Sequence, residues 1–316
     1  MTGTRQLDVP DEQVPDEQVP DEQVPDDQVP GDPVPALSRN HDRRIPRHDR
    51  RDFAPRRSRY AVVVPVLNEG ERLRAQLRRM HDHGHGLDVL IADGGSTDGS
   101  LADEFLAANG VRSVLVKRGP GRLSAQLRMA FAAALDDGYH GVVTVDGNGK
   151  DGVEAIGRFR DRLDAGYDYV QGSRFVPGGV AVNTPWSRYL GIRLLHAPML
   201  SAGARTWYTD TTNGFRGHSA RLLADPRVGV FRDVFDAYEL LAYLPVRAAR
   251  LGLRVCEVPV TRAYPAGAVP TKIKGWSGNL DLLAVAARAA TGRYDPVPDQ
   301  ASGGRPAELR PAAGSG

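Results

Sequence analysis

Apolar residues along this chain follow two alternating rhythms. Four short runs, Tyr60–Val66 (YAVVVPV), Leu87–Ala92 (LDVLIA), Val111–Val116 (VRSVLV) and Gly141–Val145 (GVVTV), are β-branched and nearly continuous, as in strands covered on both faces. Between them, Glu69–His81, Ser100–Ala108 and Arg122–Asp136 carry apolar residues at helical spacing, for example Leu123, Leu127, Ala130, Phe131 and Ala134. This β-α-β-α order predicts an α/β fold, a mostly parallel sheet flanked by helices with right-handed crossovers. Ligands of such sheets bind at the carboxyl ends of the strands.

The rhythm stops at both ends. From Val9 to Gln28 the pentad VPDEQ occurs three times and VPDDQ once, with proline at every fifth position and little to bury. Nine arginines follow between Arg39 and Arg59 against Asp42, Asp49 and Asp52, which reads either as a soluble linker or as a basic arm for anionic lipid head groups. The stretch after Tyr294 is rich in Pro, Gly, Ala and Ser. The expected organisation is a disordered tail over 1–58, one folded domain over 59–294 and a disordered tail over 295–316.

Composition narrows the class. At 316 residues, 41% hydrophobic and 25% charged, the chain has enough apolar material for a sizeable core, which excludes a fully disordered protein. Its net charge of +2 gives no general attraction to nucleic acid. A single cysteine, Cys256, excludes an intramolecular disulfide framework and Cys-rich metal sites, and fits a reducing, cytoplasmic compartment. No run approaches a membrane span, so the expectation is a cytoplasmic protein, with peripheral contact at the inner membrane face left open.

Polar residues collect where the strands end: Pro65-Val66-Leu67-Asn68-Glu69, then Asp93-Gly94-Gly95-Ser96-Thr97-Asp98-Gly99, then Asp146-Gly147-Asn148-Gly149-Lys150-Asp151. Asp98 precedes a helical run and reads as its N-cap. Asp93 ends a buried strand, where a carboxylate needs a partner such as the edge of a nucleobase. Gly119-Pro120-Gly121-Arg122 opens a helix and suits phosphate, or is a plain turn. There is no G-x-x-x-x-G-K-[ST] run and no G-x-G-x-x-G directly after the first strand, which argues against P-loop and dinucleotide readings.

Taken together, PVLNEGE, DGGSTDG, GPGRLSAQ, VDGNGKDG, QGSRF and TDTTNGFR resemble, in order, the loops of family 2 glycosyltransferases, closest to the dolichyl- and polyprenyl-phosphate sugar transferases. The resemblance implies a GT-A, Rossmann-like fold, a GDP- or UDP-sugar donor and inversion at the anomeric carbon. By position it assigns Pro65, Asn68, Glu69, Asp93, Arg122 and Gln126 to the donor. It assigns Arg174, Arg216, Arg262, Lys272 and Lys274 to phosphates or the acceptor, and Asp146, Asp210 and Glu239 to catalysis. A divalent cation, Mg²⁺ or Mn²⁺, is implied at Asp146 and Asn148. Here the family's D-x-D has lost its second carboxylate, and hard cations prefer carboxylate oxygens, so Lys150 is an alternative neutraliser of diphosphate.

A phosphate acceptor is already ionised near neutral pH, whereas a hydroxyl acceptor needs a general base, for which Asp210, Asp236 and Glu239 are candidates. Trp186 to Ala204 mixes aromatics, leucines and arginines, and is either an interfacial membrane segment or a helical cover for the sheet; Leu280 to Ala290 is a second amphipathic candidate. The leading expectation is transfer to polyprenyl phosphate. The alternatives are a soluble glycosyltransferase acting on a hydroxyl and a nucleotide-sugar-binding protein without turnover. His81, His83 and His85 read as loop residues rather than metal ligands, and Cys256 as a buried small hydrophobe. Pro245 is expected to break or kink its helix.

Overall fold

The computed structural model describes residues 43–265 and 275–297, with backbone only for 275–279. The pentad repeats and the chain beyond 297 lie outside the described residues. Ten strands are present among those described: β1 (His48–Asp52), β2 (Tyr60–Val66), β3 (Asp88–Asp93), β4 (Val111–Lys117), β5 (Gly141–Thr144), β6 (Tyr169–Ser173), β7 (Val180–Val182), β8 (Arg216–Ser219), β9 (Val255–Pro259) and β10 (Thr261–Ala263). Eight form one sheet in the order β1-β4-β3-β2-β5-β8-β6-β9, and β10 pairs with β7 separately. The run β4-β3-β2-β5 is parallel, as expected, and β8 is inserted antiparallel between β5 and β6.

Side-chain alternation on the parallel strands feeds two cores. Ala61 and Val63 of β2 face the helix Leu123–Asp136, with Phe131 and Leu127, and the helix Glu239–Arg250 behind it. Tyr60, Val62, Val64 and Val66 face the helices Glu71–His83 and Ile156–Asp164 on the other side. A fully buried parallel strand must be apolar on both faces, which is why these runs are continuous in sequence.

Residues 43–58, expected to belong to the tail, instead begin the fold. β1 (HDRRD) pairs antiparallel with β4, His48 to Lys117 through Asp52 to Ser113. It has no apolar residue to betray it. Backbone pairing and ion pairs hold it, with Arg50 bidentate on Asp137 (2.9 and 2.8 Å). A charged strand at a sheet edge also discourages pairing with other chains.

Trp186 to Ala204 is one continuous run of helix, with a π-helical stretch over Gly191–His196. No helix among the described residues is long and apolar enough to cross a membrane.

Candidate active site

The ends of β3, β2 and β5 are neighbours in the sheet, so the three polar loops share one edge. Asp93 pairs with Val66 in the ladder, and the Val145 amide donates to the Val63 carbonyl (3.1 Å), placing Asp93 and Asp146 on either side of the end of β2. Gly147 makes this approach possible, since a Cβ there would lie 2.6 Å from Val66 Cγ1.

The loops after β2 and β3 are stitched together. Asn68, at φ 52°, donates its amide to Ser96 Oγ (2.9 Å) and accepts from the Thr97 amide (2.8 Å). Asp98 accepts from the Gly70 amide (2.8 Å). It is not the helix N-cap expected of it, because that helix starts later, at Asp103. Asp93, 2% exposed, has an internal partner in Ser96, whose amide and hydroxyl donate to it (2.9 and 2.6 Å). Pro65 lies in the ladder opposite Ala92, and Glu69 is buried and accepts from Arg72 (3.0 Å).

Gln126 spends its side-chain amide on the carbonyls of Val66 (2.8 Å) and Ala92 (2.9 Å), and so clamps the ends of β2 and β3 from beneath. Arg122 is exposed at the start of its helix, its backbone amide donating to the Asp236 carbonyl (2.8 Å). The glycine before it, Gly121, has φ +97°, and a Cβ would meet Asp236 Oδ1 at 2.5 Å.

Arg262, on β10, closes the β5 side. Its Nη1 donates to both oxygens of Asp151 (2.7 Å each) and its Nη2 to Asp146 Oδ2 (2.9 Å). The Ala263 amide donates to the Lys150 carbonyl (2.8 Å) and the Gly152 amide to the Thr261 carbonyl (2.9 Å), so the whole turn is zipped to β10. Burial would lower the Arg262 pKa, but Asp151 and Asp146 together hold it well above the ordinary value. Lys150, 5.1 Å from the centre of the Tyr264 ring, is pushed down by burial and by Arg262.

The residues present do not fit the divalent cation expected at Asp146 and Asn148. Asp146 already accepts Arg262. Asn148 turns its Nδ2 toward Asp146 Oδ2 (3.4 Å), while its Oδ1 accepts the Lys150 amide (3.2 Å). One engaged carboxylate and an engaged amide make a poor donor set for a hard ion. No group of three or more His, Cys, Asp or Glu suited to a metal occurs among the described residues.

Next to this turn stands a buried pair. Arg174 grips Asp210 with Nε (2.6 Å) and Nη2 (2.8 Å), and both side chains are almost wholly enclosed, 1% and 0% exposed. Asp210 lifts the arginine pKa against burial. Glu257 supports the same loop, accepting from the Thr209 amide (2.9 Å) and hydroxyl (2.9 Å). Tyr264 bridges the groups: its hydroxyl meets Arg188 (3.1 Å) and Arg174 (3.4 Å). Burial pushes that hydroxyl up, but Arg262, Arg174 and Arg188 bring it below its ordinary value.

Arg216 does not sit where a phosphate contact was expected. It is 1% exposed, and its guanidinium is spent on the carbonyls of Asn213 (2.8 Å), Thr211 (2.8 Å) and Leu241 (2.5 Å). Glu239 bonds back to the Ala237 amide (2.7 Å) at the start of its own helix. Lys272 and Lys274 lie outside the described residues. Sequence reasoning missed Asp151, Arg188, Glu257 and Tyr264 as members of the cluster. The charge of Asp151 beside the D-x-D position was the one available signal.

The family model for glycosyl transferase family 2 matches residues 61–237. A polyprenol monophosphomannose synthase from Mycolicibacterium smegmatis is 32% identical over 209 residues, 64% of this chain and 77% of that one. An undecaprenyl-phosphate mannosyltransferase from Micrococcus luteus is also 32% identical over 209 residues, 64% of this chain and 83% of that one. Among solved structures, glucosyl-3-phosphoglycerate synthase from Mycobacterium tuberculosis with uridine diphosphate aligns at a TM-score of 0.51 and 17% identity, over 73% of this chain and 80% of that one. The same enzyme crystallised with Mn²⁺, UDP-glucose and phosphoglyceric acid aligns at 0.50 and 18%, over 76% and 81%. These structural likenesses show the GT-A fold.

Proposed function

The chain belongs to glycosyl transferase family 2 and is a glycosyltransferase, and from that premise we propose that it moves a hexose, with inversion, from a nucleoside diphosphate to a polyprenyl phosphate at a membrane surface. The names of its relatives support mannose as the sugar and a lipid phosphate as the acceptor. In this reading Asp93, Asn68, Glu69 and Pro65 frame the nucleoside, with Gln126 holding that frame and Arg122 at its rim. An oxygen of the acceptor phosphate attacks the anomeric carbon as the bond to the β-phosphate breaks on the opposite face. Charge grows on the departing diphosphate, next to Arg262 and Lys150, where fixed cations lower the barrier.

The observation that carries the acceptor class is the state of Asp210. A hydroxyl nucleophile needs a base, and Asp210 is enclosed with both oxygens bound to Arg174. A phosphate needs none. Arg188 and Tyr264 suit a phosphate head group, with the enclosed Arg174 holding the Tyr264 hydroxyl from behind and Lys272 and Lys274 as further cations. The helix that supplies Arg188 also exposes Trp186, Leu194 and Leu195, so an apolar surface adjoins the cations.

The test is incubation of the full chain with labelled GDP-mannose, GDP-glucose, UDP-glucose or UDP-galactose and polyprenyl phosphate. A labelled product extractable into organic solvent, absent with Asp146→Ala, is expected. Label appearing only on water-soluble hydroxyl acceptors would overturn the lipid reading.

A further inference from the structure

We infer that Arg262 is the resident cation of the donor-diphosphate site, so that nucleoside diphosphate binding to this chain does not depend on a divalent metal. The inference rests on the donor reading above and adds how that donor's charge is met.

Three observations carry it. First, a side-chain cation holds the carboxylate that a metal would need: Arg262 is 2.9 Å from Asp146 and 2.7 Å from each oxygen of Asp151. Arg262 is 7% exposed and Asp151 2%. Moving the guanidinium aside for a metal would strand both charges away from water, and breaking one half of a buried pair is strongly unfavourable. Strand pairing resists the movement as well, since the Asp151 turn is bonded to β10 on both sides of Arg262. Second, Asn148 replaces the second carboxylate, and its amide is committed to the turn at both ends.

Third, the surrounding charge suits an anion without a metal. Among the described residues around Tyr264, the cations Lys150, Arg174, Arg188 and Arg262 face the carboxylates Asp146, Asp151 and Asp210. With Glu257, which holds the Asp210 loop, four cations meet four carboxylates, so the cluster has no anionic excess before any ligand arrives. A site that recruits a divalent ion keeps at least one carboxylate available to it beside the substrate phosphates, whereas Asp146 is held by Arg262. Arg is also the side chain best matched to phosphate oxygens, through its planar fork and permanent charge.

The test is calorimetric titration of the full chain with GDP and with UDP, in EDTA and again with Mn²⁺. The expected result is binding of one nucleotide in EDTA, with a Kd that Mn²⁺ changes by less than about threefold. Arg262→Met should weaken binding in EDTA by roughly tenfold or more. Because that variant strands Asp151, Asn148→Asp is the second arm: it restores the carboxylate pair without touching the buried partners, and should make Mn²⁺ tighten binding by roughly tenfold. Wild-type binding seen only with Mn²⁺ would overturn the inference and leave the donor reading standing. No binding of either nucleotide under any condition would overturn the donor reading and the inference with it.

Discussion

Arg216 Nη1 donates to the carbonyl of Leu241, the residue four positions before Pro245 in the helix Glu239–Arg250. In an unbroken helix that carbonyl would accept from residue 245, but proline has no N–H to give. A buried arginine 25 residues upstream supplies the missing donor and ties the loop 211–213 to the helix in the same act. Pro245 therefore sits inside a continuous helix and does not break it.

This relationship predicts coupling between two distant positions. Arg216→Met takes the arginine donor from the Thr211 and Leu241 carbonyls, while the Asn213 carbonyl keeps Gln171 Nε2 (3.2 Å), and should cost on the order of 2 kcal/mol or more. Pro245→Ala restores the intrahelical donor, so Arg216→Met should cost at least about 1 kcal/mol less in that background. Urea denaturation of the four proteins measures this, and strictly additive losses would refute the link.

The Arg174–Asp210 pair predicts that Asp210→Asn is mainly a stability lesion. Removing one charge of a buried pair costs about 3–5 kcal/mol. Assayed with polyprenyl phosphate at a temperature where the variant remains folded, turnover should fall by less than roughly tenfold, since no proton need be removed from a phosphate. A loss of several hundredfold with intact folding would instead make Asp210 the base of a hydroxyl acceptor.

Part of the acid sensitivity should trace to His218, alongside His196 and His85, whose pKa values burial lowers to about 4. Burial, aided by Arg216, pushes its pKa down to about 3; its Nδ1 has no hydrogen-bond partner, and the ring packs against Phe131 and Tyr169. Its folded pKa lies below the unfolded value of about 6.5, so its stabilising effect is complete above that pH and is lost as pH falls toward 3. The loss reaches on the order of 3 kcal/mol by about pH 4. His218→Leu should flatten the stability profile between about pH 6.5 and 4. An unchanged slope in thermal melts across that range would rule this residue out.

The parallel half of the sheet was legible because buried strands must be apolar throughout: all four runs read from the pattern are β2 to β5 within about a residue at either end. β1 was not, since HDRRD is held by backbone pairing and by arginines whose partners lie far along the chain. At the site, the motifs located the loops but not their internal commitments. Arg262 reads as a free cation until Asp151, 111 residues away, is brought to it by β10. Gln126 and Arg216 read as ligand contacts until their amide and guanidinium are seen on backbone carbonyls. Arg188 and Tyr264 carry no local signal; only the helix and the strand end that deliver them make them neighbours.

On the lipid-acceptor proposal, the exposed apolar residues of the Trp186–Ala204 helix are the expected contact with lipid. Trp186, Leu194 and Leu195 are 71%, 65% and 52% exposed, and Trp207 just beyond is 65% exposed, while Ile192 and Leu200 of the same run point into the protein. Replacing Trp186, Leu194 and Leu195 by serine therefore removes little that the fold uses. Each large apolar side chain sunk into a bilayer contributes roughly 1.5–3 kcal/mol. The triple variant should lose at least about tenfold in partition onto anionic vesicles, measured by flotation. Its turnover of a long polyprenyl phosphate in those vesicles should fall in parallel, while turnover of a short, water-soluble isoprenoid phosphate should persist, because the cations around Tyr264 are untouched. A triple variant that floats like the unaltered chain would move the lipid contact elsewhere, and one that loses both acceptors equally would make this face part of the catalytic cleft.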